Sequence, residues 1–293
     1  MEISQLSVSV LIPAFNEEGA IEETVAKIAA QRVHFKDLEI VVINDGSKDR
    51  TSEIARTLPV TLIEHPVNRG YGAALKTGLQ HAKYDYILIA DADGTYPLED
   101  IPKLCSEAGD YDMVVGARTG DVVQIPLIRR PGKWLITQLA KYLSQQDIPD
   151  LNSGLRVFRK DVALRFLTLY PDGFSFTTTI TLSMLTNHYR VKFIPINYHR
   201  RIGKSSIKAS DFINFTILII RICAYFKPLN VFVPPALLMI FLGFLKGFVD
   251  YFNLLHHGSG GHVGLVAAAL VLTGVQLIFI GLLADLIDKR MKL

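Results

Sequence analysis

Ile87-Leu88-Ile89-Ala90-Asp91-Ala92-Asp93-Gly94-Thr95 is the stretch whose reading decides the fold. An apolar run rich in β-branched residues stops at two carboxylates one residue apart. The run predicts a buried strand. Its carboxylates then stand at the C-terminal end, where open α/β sheets place their ligands. A D-x-D pair offers hard oxygen donors to a divalent cation and leaves positions open for the phosphates of a nucleotide. A solvated acidic turn is the plainer alternative, so the reading depends on what surrounds the pair.

Upstream, Val8 to Pro13 predicts a first strand closed by Pro13, with Asn16 as cap of a helix whose apolar positions are Ile21, Val25, Ile28 and Ala29. Leu38 to Ile43 predicts a second strand ending in Asn44-Asp45-Gly46-Ser47. A helix near Thr51 to Leu58, a short strand at Val60 to Ile63 and a helix from about Gly72 to Ala82 then lead into the D-x-D strand. Strand alternating with helix predicts a doubly wound, mostly parallel sheet. Asn16 and Glu17, Asp45, and Asp91 with Asp93 would line one rim of it. Asn68-Arg69-Gly70-Tyr71-Gly72 lacks the third glycine of a dinucleotide fingerprint, because Leu75 stands there; it reads as a glycine turn opening a helix.

Downstream, Asp112 to Ala117 predicts a strand that delivers Arg118. An irregular segment with Arg129-Arg130-Pro131 precedes an amphipathic helix over about Trp134 to Leu143, and Asp150 to Arg156 forms a polar turn into a strand. His199 to Ser206 is a basic loop containing Arg200, Arg201, Lys204 and Ser205.

Composition places the rest. Hydrophobic residues make up 49% of 293 and the mean hydropathy is +0.28, with the excess after residue 210, so a membrane-associated C-terminal part is expected. Net charge is only +3, which implies no nucleic-acid partner. Cys105 and Cys223 form neither a disulfide framework nor a zinc site. Met1 to Gln5 carries no signal-peptide pattern.

Ile207 to Phe226 mixes apolar residues with Lys208, Asp211 and Arg221 and reads as interfacial amphipathic helix. Val231 to Phe252 and Val263 to Ile287 are long enough to span a bilayer, with Pro234 and Pro235 near the start of the first and Lys246 placed to snorkel. His256 to His262 reads as a polar hairpin turn rather than a metal site. Lys and Arg cluster before the first span and after the second, at Lys289, Arg290 and Lys292, with none between Lys246 and Lys289. Both termini are therefore expected in the cytoplasm. The expected division is a catalytic domain at 1–206, juxtamembrane helices at 207–228 and a transmembrane hairpin at 229–293.

Taken together, Ile12 to Glu17, Asn44 to Ser47, Asp91-Ala92-Asp93, Gly116-Ala117-Arg118, Asn152 to Arg156 and the basic loop at Arg200 resemble the family 2 glycosyltransferases of GT-A fold. The likeness is to the polyprenyl-phosphate branch that includes dolichol-phosphate mannose synthase. It covers residues 8 to about 206, and the membrane hairpin matches one subgroup. The resemblance implies a membrane-bound inverting enzyme that moves one sugar from a UDP- or GDP-sugar to a polyprenyl phosphate. Transfer to a lipid hydroxyl, an inactive adaptor and a nucleotidyltransferase stand as alternatives.

It also implies roles. Pro13, Ala14, Phe15, Glu17, Asp45, Gly70, Asp91 and Ala92 would hold the nucleotide sugar, with Asp91 and Asp93 at Mg²⁺ or Mn²⁺. Arg118, Arg130 and Arg200 would meet the acceptor phosphate, flanked by Arg129, Arg201, Lys204 and Ser205. Asp93, Asp150 and Arg118 would be the catalytic set, Asp150 orienting acceptor-side groups or, alternatively, abstracting a proton. Relatives often carry glutamine where Thr95 stands. No Q-x-x-R-W motif of processive synthases is present, so single-sugar transfer is expected. Hydroxyl-using relatives carry a carboxylate where this chain has Phe174 to Thr179, which has none. The resemblance is compatible with a homo-tetramer.

Overall fold

A computed structural model describes residues 2–121, 130–173, 175–199, 211–257 and 264–291. The chain divides into two compact units, one up to Ile219 and one from Ile220.

The first unit runs β1 (Ser7–Ala14), α1 (Ile21–Ala30), β2 (Asp37–Asn44), α2 (Thr51–Thr57), β3 (Thr61–Glu64), α3 (Tyr71–His81), β4 (Tyr86–Ile89), α4 (Ile101–Cys105), β5 (Met113–Ala117), α5 (Arg130–Ser144), β6 (Arg156–Arg159), α6 (Lys160–Arg165), α7 (Phe176–Thr186) and β7 (Val191–Pro195). The seven strands lie in the order β3-β2-β1-β4-β6-β5-β7. All pairings are parallel except those of β6, which is antiparallel to both β4 and β5. This is the expected α/β, mostly parallel sheet.

The central strands are buried on both faces, which is why they read as apolar runs rather than alternating ones. Val8, Val10, Leu11 and Ile12 of β1, Val41 to Ile43 of β2 and Ile87 to Ile89 of β4 are at most 1% exposed. Each such side chain contributes about 1.5–3 kcal/mol on burial. Pro13 is tolerated inside β1 because the strand's pairing with β4 ends at Leu11, before the missing amide is needed.

Three features set the functional rim. First, β1 lies between β2 and β4, so the strand order reverses there and the carboxyl ends of all three open on one edge. Second, the backbone amides of Asp45 and Ala90 donate to Ala14 O and Leu11 O at 2.9 and 3.1 Å, bringing Asp45 and Asp91 to that edge. Third, antiparallel β6 begins opposite Ile89, so residues 150–155 arrive at the same edge from the other direction.

Several local expectations need correction. Asn16 does not cap α1; the helix starts after Ala20 with no side-chain cap, and Glu17 O receives the amides of Ala20 and Ile21. Asn16 instead adopts φ 56°, and its Oδ1 accepts from the Lys48 amide at 2.8 Å, tying the β1 exit to the β2 exit. The short polar side chain makes that left-handed conformation accessible. Arg156 belongs to no polar turn but is fully buried at the head of β6. Strand β7 has no counterpart among the elements expected from the sequence, whereas α7 takes up Phe176 to Thr179 of the stretch singled out by the resemblance.

In the second unit, α8 (Asp211–Phe226) begins before the division and α9 (Pro228–His257) and α10 (Leu265–Met291) form a pair of long apolar helices. Pro234 and Pro235 lie inside α9, and His256 and His257 extend its end rather than forming a turn; 258–263 lie outside the described residues. Close packing explains the pair's small residues. A Cβ on Gly274 would stand 2.6 Å from Ile240 Cγ1 and 2.7 Å from Ala236 O, so alanine there would force the helices apart. Phe241, Phe244, Phe279 and Leu283 are exposed, an apolar surface that a bilayer would cover. Lys246 pairs with Asp250 one turn on.

Candidate active site

A pocket of about 340 Å³ opens on the functional rim. Pro13, Ala14, Phe15, Glu17, Asp45, Gly70, Asp91, Ala92, Asp93 and Arg118, all singled out from the sequence, line it. The pocket is also lined by Asn68, Tyr71, Ala74, Tyr96, Asn152, Gly154, Thr177 and Tyr198, which were not. Arg129, Arg200, Arg201, Lys204 and Ser205 lie outside the described residues; Arg130 opens α5, with only its backbone described.

Asp45 is held on one wall by three donors. The amides of Arg69 and Gly70 reach its Oδ1 and Oδ2 at 2.9 and 2.8 Å, and His65 Nδ1 lies 2.7 Å from Oδ1. His65 Nε2 is in turn 3.0 Å from Thr77 Oγ1. The glycine turn is therefore a clamp on the Asp45 carboxylate. Gly70 adopts φ 103°, and a Cβ would collide with Asp172 O, so no other residue suits it.

The two carboxylates of the D-x-D pair are separately braced. Tyr71 Oη donates to Asp91 Oδ1 at 2.9 Å. Burial and the Asp91 charge raise the Tyr71 pKa well above its ordinary value, so the phenol stays a donor. Gly154 lies against Asp91 so closely that a Cβ would overlap Oδ2. Asp93 Oδ1 accepts from Thr95 Oγ1 at 2.6 Å and from the Thr95 amide at 3.2 Å. Thr95 thus orients Asp93 from within the turn.

Two carboxylates on one pocket wall are a fit for a hard cation. Among the described residues no third His, Cys, Asp or Glu joins them. Any bound divalent cation would need further ligand oxygens from elsewhere.

Arg118, which also lines the pocket, is fixed by Asp150. Nε reaches Oδ2 at 2.7 Å, one terminal nitrogen reaches Oδ1 at 2.9 Å, and the Arg118 amide reaches Oδ2 at 3.0 Å. The same terminal nitrogen donates to Asn152 Oδ1 at 3.0 Å. The guanidinium lies over the Tyr198 ring, 5.1 Å from its centroid, and Tyr198 meets Tyr96 edge-on at 5.2 Å. Burial disfavours the Arg118 charge, but Tyr96 and Asp150 outweigh it and hold the pKa well above its ordinary value. Asp150 is fully buried and is not among the pocket-lining residues. A general base must come within about 3.2 Å of its proton. Both carboxylate oxygens of Asp150 accept from Arg118.

The pocket residues that sequence reading missed divide by signal. Tyr71 and Asn68 sat inside the glycine turn, and Asn152 and Gly154 inside the motif before β6. Thr177 sat inside the Phe174 to Thr179 stretch, whereas Tyr198, in the segment after β7, carried no local signal.

Similarity to known proteins agrees with this geometry. Residues 9–166 match the model for glycosyl transferase family 2, and residues 227–289 match a GtrB C-terminal hairpin. A dolichyl-phosphate hexose transferase of Haloferax volcanii is 31% identical over 201 residues, covering 68% of this chain and 86% of its own. An undecaprenyl-phosphate 4-deoxy-4-formamido-L-arabinose transferase of Edwardsiella ictaluri is 28% identical, covering 96% of this chain and 89% of its own. In fold, the chain is similar to glucosyl-3-phosphoglycerate synthase from Mycobacterium tuberculosis, solved with Mn²⁺, UDP and phosphoglyceric acid. That match has a TM-score of 0.60 at 18% identity and covers 74% of this chain and 78% of that one. The matched hairpin and the two apolar helices fit a membrane protein.

Proposed function

The chain belongs to glycosyl transferase family 2, and from that premise we propose that it transfers one sugar from a nucleotide-diphosphate sugar to a polyprenyl phosphate, forming polyprenyl-phosphate-sugar and releasing the nucleoside diphosphate. The observation that carries the reading is the convergence of Asp45, Asp91, Asp93 and Arg118 on one pocket, in a chain whose C-terminal part matches a membrane hairpin.

Phe15, 41% exposed at the rim, offers an apolar face to the nucleobase, and the braced Asp45 carboxylate accepts from the base or ribose. Mg²⁺ or Mn²⁺ held by Asp91 and Asp93 would act as a Lewis acid for the leaving diphosphate. Arg118, pinned by Asp150, places the acceptor phosphate for attack opposite the leaving group, with inversion. Arg130 and Arg200, with Arg129, Arg201, Lys204 and Ser205, supply the remaining acceptor-side contacts.

A phosphate acceptor is favoured over a hydroxyl on chemical grounds. A hydroxyl needs a positioned base, whereas a phosphomonoester with a second pKa near about 6 is already dianionic at neutral pH. The first turn of α7 carries no carboxylate, and Asp150 is committed to Arg118. The labelled lipid product is accordingly expected to contain phosphorus and to release its sugar in mild acid. A phosphorus-free, acid-stable product would leave transfer to a lipid hydroxyl as the activity.

The catalytic unit and both termini face the cytoplasm in this reading, because the basic residues flank the hairpin and its connecting segment has none. Tags at Met1 and Leu293 are expected to be accessible only after permeabilisation. Ser259→Cys is expected to react with an impermeant thiol reagent from outside, and labelling only in permeabilised cells would reverse the topology.

A further inference from the structure

Arg156 is a buried cation whose hydrogen bonds all go to neutral acceptors. Its side chain is fully excluded from solvent. Nε donates to Ser153 O at 3.1 Å, and a terminal nitrogen also reaches Ser153 O. The other terminal nitrogen donates to Thr177 O at 3.0 Å and Thr181 Oγ1 at 2.8 Å, with Met113 Sδ at 3.9 Å. Among the described residues no carboxylate pairs with it. Burial lowers its pKa to about 10, so it remains charged at neutral pH. Asp150 contributes attraction to Arg156, but that carboxylate is bound bidentately by Arg118.

A buried charge without an ion-pair partner is unfavourable. A hydrophobic side chain would fill the same space at less expense if packing were the only requirement. What sets this arginine apart is what lies on its hydrogen bonds. Ser153 precedes Gly154, and Gly154 and Thr177 both line the pocket. Thr177 also stands in the first turn of α7. Asp91, against which Gly154 lies, and Asp93 line the same pocket and would repel a phosphate. A buried positive charge behind the Ser153–Gly154 turn offsets part of that repulsion.

We propose that Arg156 is an electrostatic positioning residue for the diphosphate of the nucleotide sugar, its buried charge favouring a phosphate-bearing ligand in a pocket that Asp91 and Asp93 also line. The guanidinium does not touch the ligand. It acts through space and through the Ser153–Gly154 turn and the first turn of α7, which it holds in place. The inference rests on the reading of the pocket as a nucleotide-sugar site.

A purely structural arginine and an electrostatic one differ in how their loss scales with ligand charge. The experiment titrates full-length protein with UDP, uridine, GDP and guanosine by competition at fixed Mg²⁺. Arg156→Met is expected to weaken the diphosphates about tenfold or more and the nucleosides less than about twofold, as an unscreened interior charge predicts. Arg156→Lys keeps the charge and is expected to retain most of the diphosphate affinity. Thr181→Asp places a counter-charge beside the intact guanidinium and is expected to weaken the diphosphates selectively as well. If Arg156→Met does not fold, Thr181→Asp carries the test through the same ratio. Equal losses for nucleoside and diphosphate, or no loss for either, overturn the proposal. Wild-type protein that binds neither UDP nor GDP overturns the nucleotide-sugar reading itself, and this inference with it.

Discussion

Asp93→Ala is expected to lower transfer by about a thousandfold or more, and EDTA to reproduce the loss in unaltered protein. The side chain is 6% exposed, lines the pocket beside Asp91 and is oriented by both the hydroxyl and the amide of Thr95. Among the described residues no third carboxylate joins the pair, so removing one would leave a bound hard cation a single side-chain ligand. Losing a Lewis acid at a leaving diphosphate costs on the order of 4 kcal/mol, and each ~1.4 kcal/mol is tenfold in rate. Two further variants separate chemistry from folding. Asp93→Asn keeps the shape and its acceptor oxygen for Thr95 yet is expected to lose nearly as much. Thr95→Val removes only the hydroxyl contact and is expected to lose about tenfold or less. Initial rates with labelled UDP- and GDP-sugars at several Mn²⁺ concentrations provide the measurement. Full activity in EDTA, or in Asp93→Asn, would sink the cation assignment.

Asp150→Ala is the second large effect, and it is one of stability as well as activity. The carboxylate is fully buried, and Arg118 meets it through Nε, a terminal nitrogen and the backbone amide. Truncating one partner of a buried pair costs about 3–5 kcal/mol, because the other charge is left without compensation. Folded proteins hold only about 5–15 kcal/mol in all. A drop in melting temperature on the order of 10 °C is therefore expected, read by thermal unfolding in detergent. Asp150→Asn keeps the volume and isolates the charge. It is expected to raise the apparent KM for the lipid acceptor more than that for the nucleotide sugar, since Arg118 faces the pocket and Asp150 does not. Its pH–rate profile is expected to keep the shape of the unaltered enzyme's. Loss of the acid-side limb in Asp150→Asn would instead mark Asp150 as a proton acceptor and favour a hydroxyl substrate.

Sequence by itself determined the strand-to-rim logic of this protein. β1, β2 and β4 are buried on both faces, so their apolar runs end where the sheet ends and the next polar residue is on the rim. Asp45, Asp91 and Asp93 were legible for that reason, as were the two apolar helices, whose length alone marks them. Tertiary structure decided what no window of sequence contains. The antiparallel entry of β6 brings Asp150 to Gly154 onto a rim otherwise made by parallel strands, and long-range pairing, not local pattern, sets that direction. Asp150 and Arg118 are 32 residues apart and become one unit only through it. Asn16 reads as a helix cap by type, but the loop at Ser47-Lys48 claims both its backbone and its side chain instead. Arg156 reads as part of a polar turn because charged residues are rarely buried. The fold overrides that rule by surrounding it with carbonyl and hydroxyl oxygens from 153, 177 and 181. A charge can be held in such a place only when distant segments supply the acceptors together, which is a property of the packed chain and not of its local sequence.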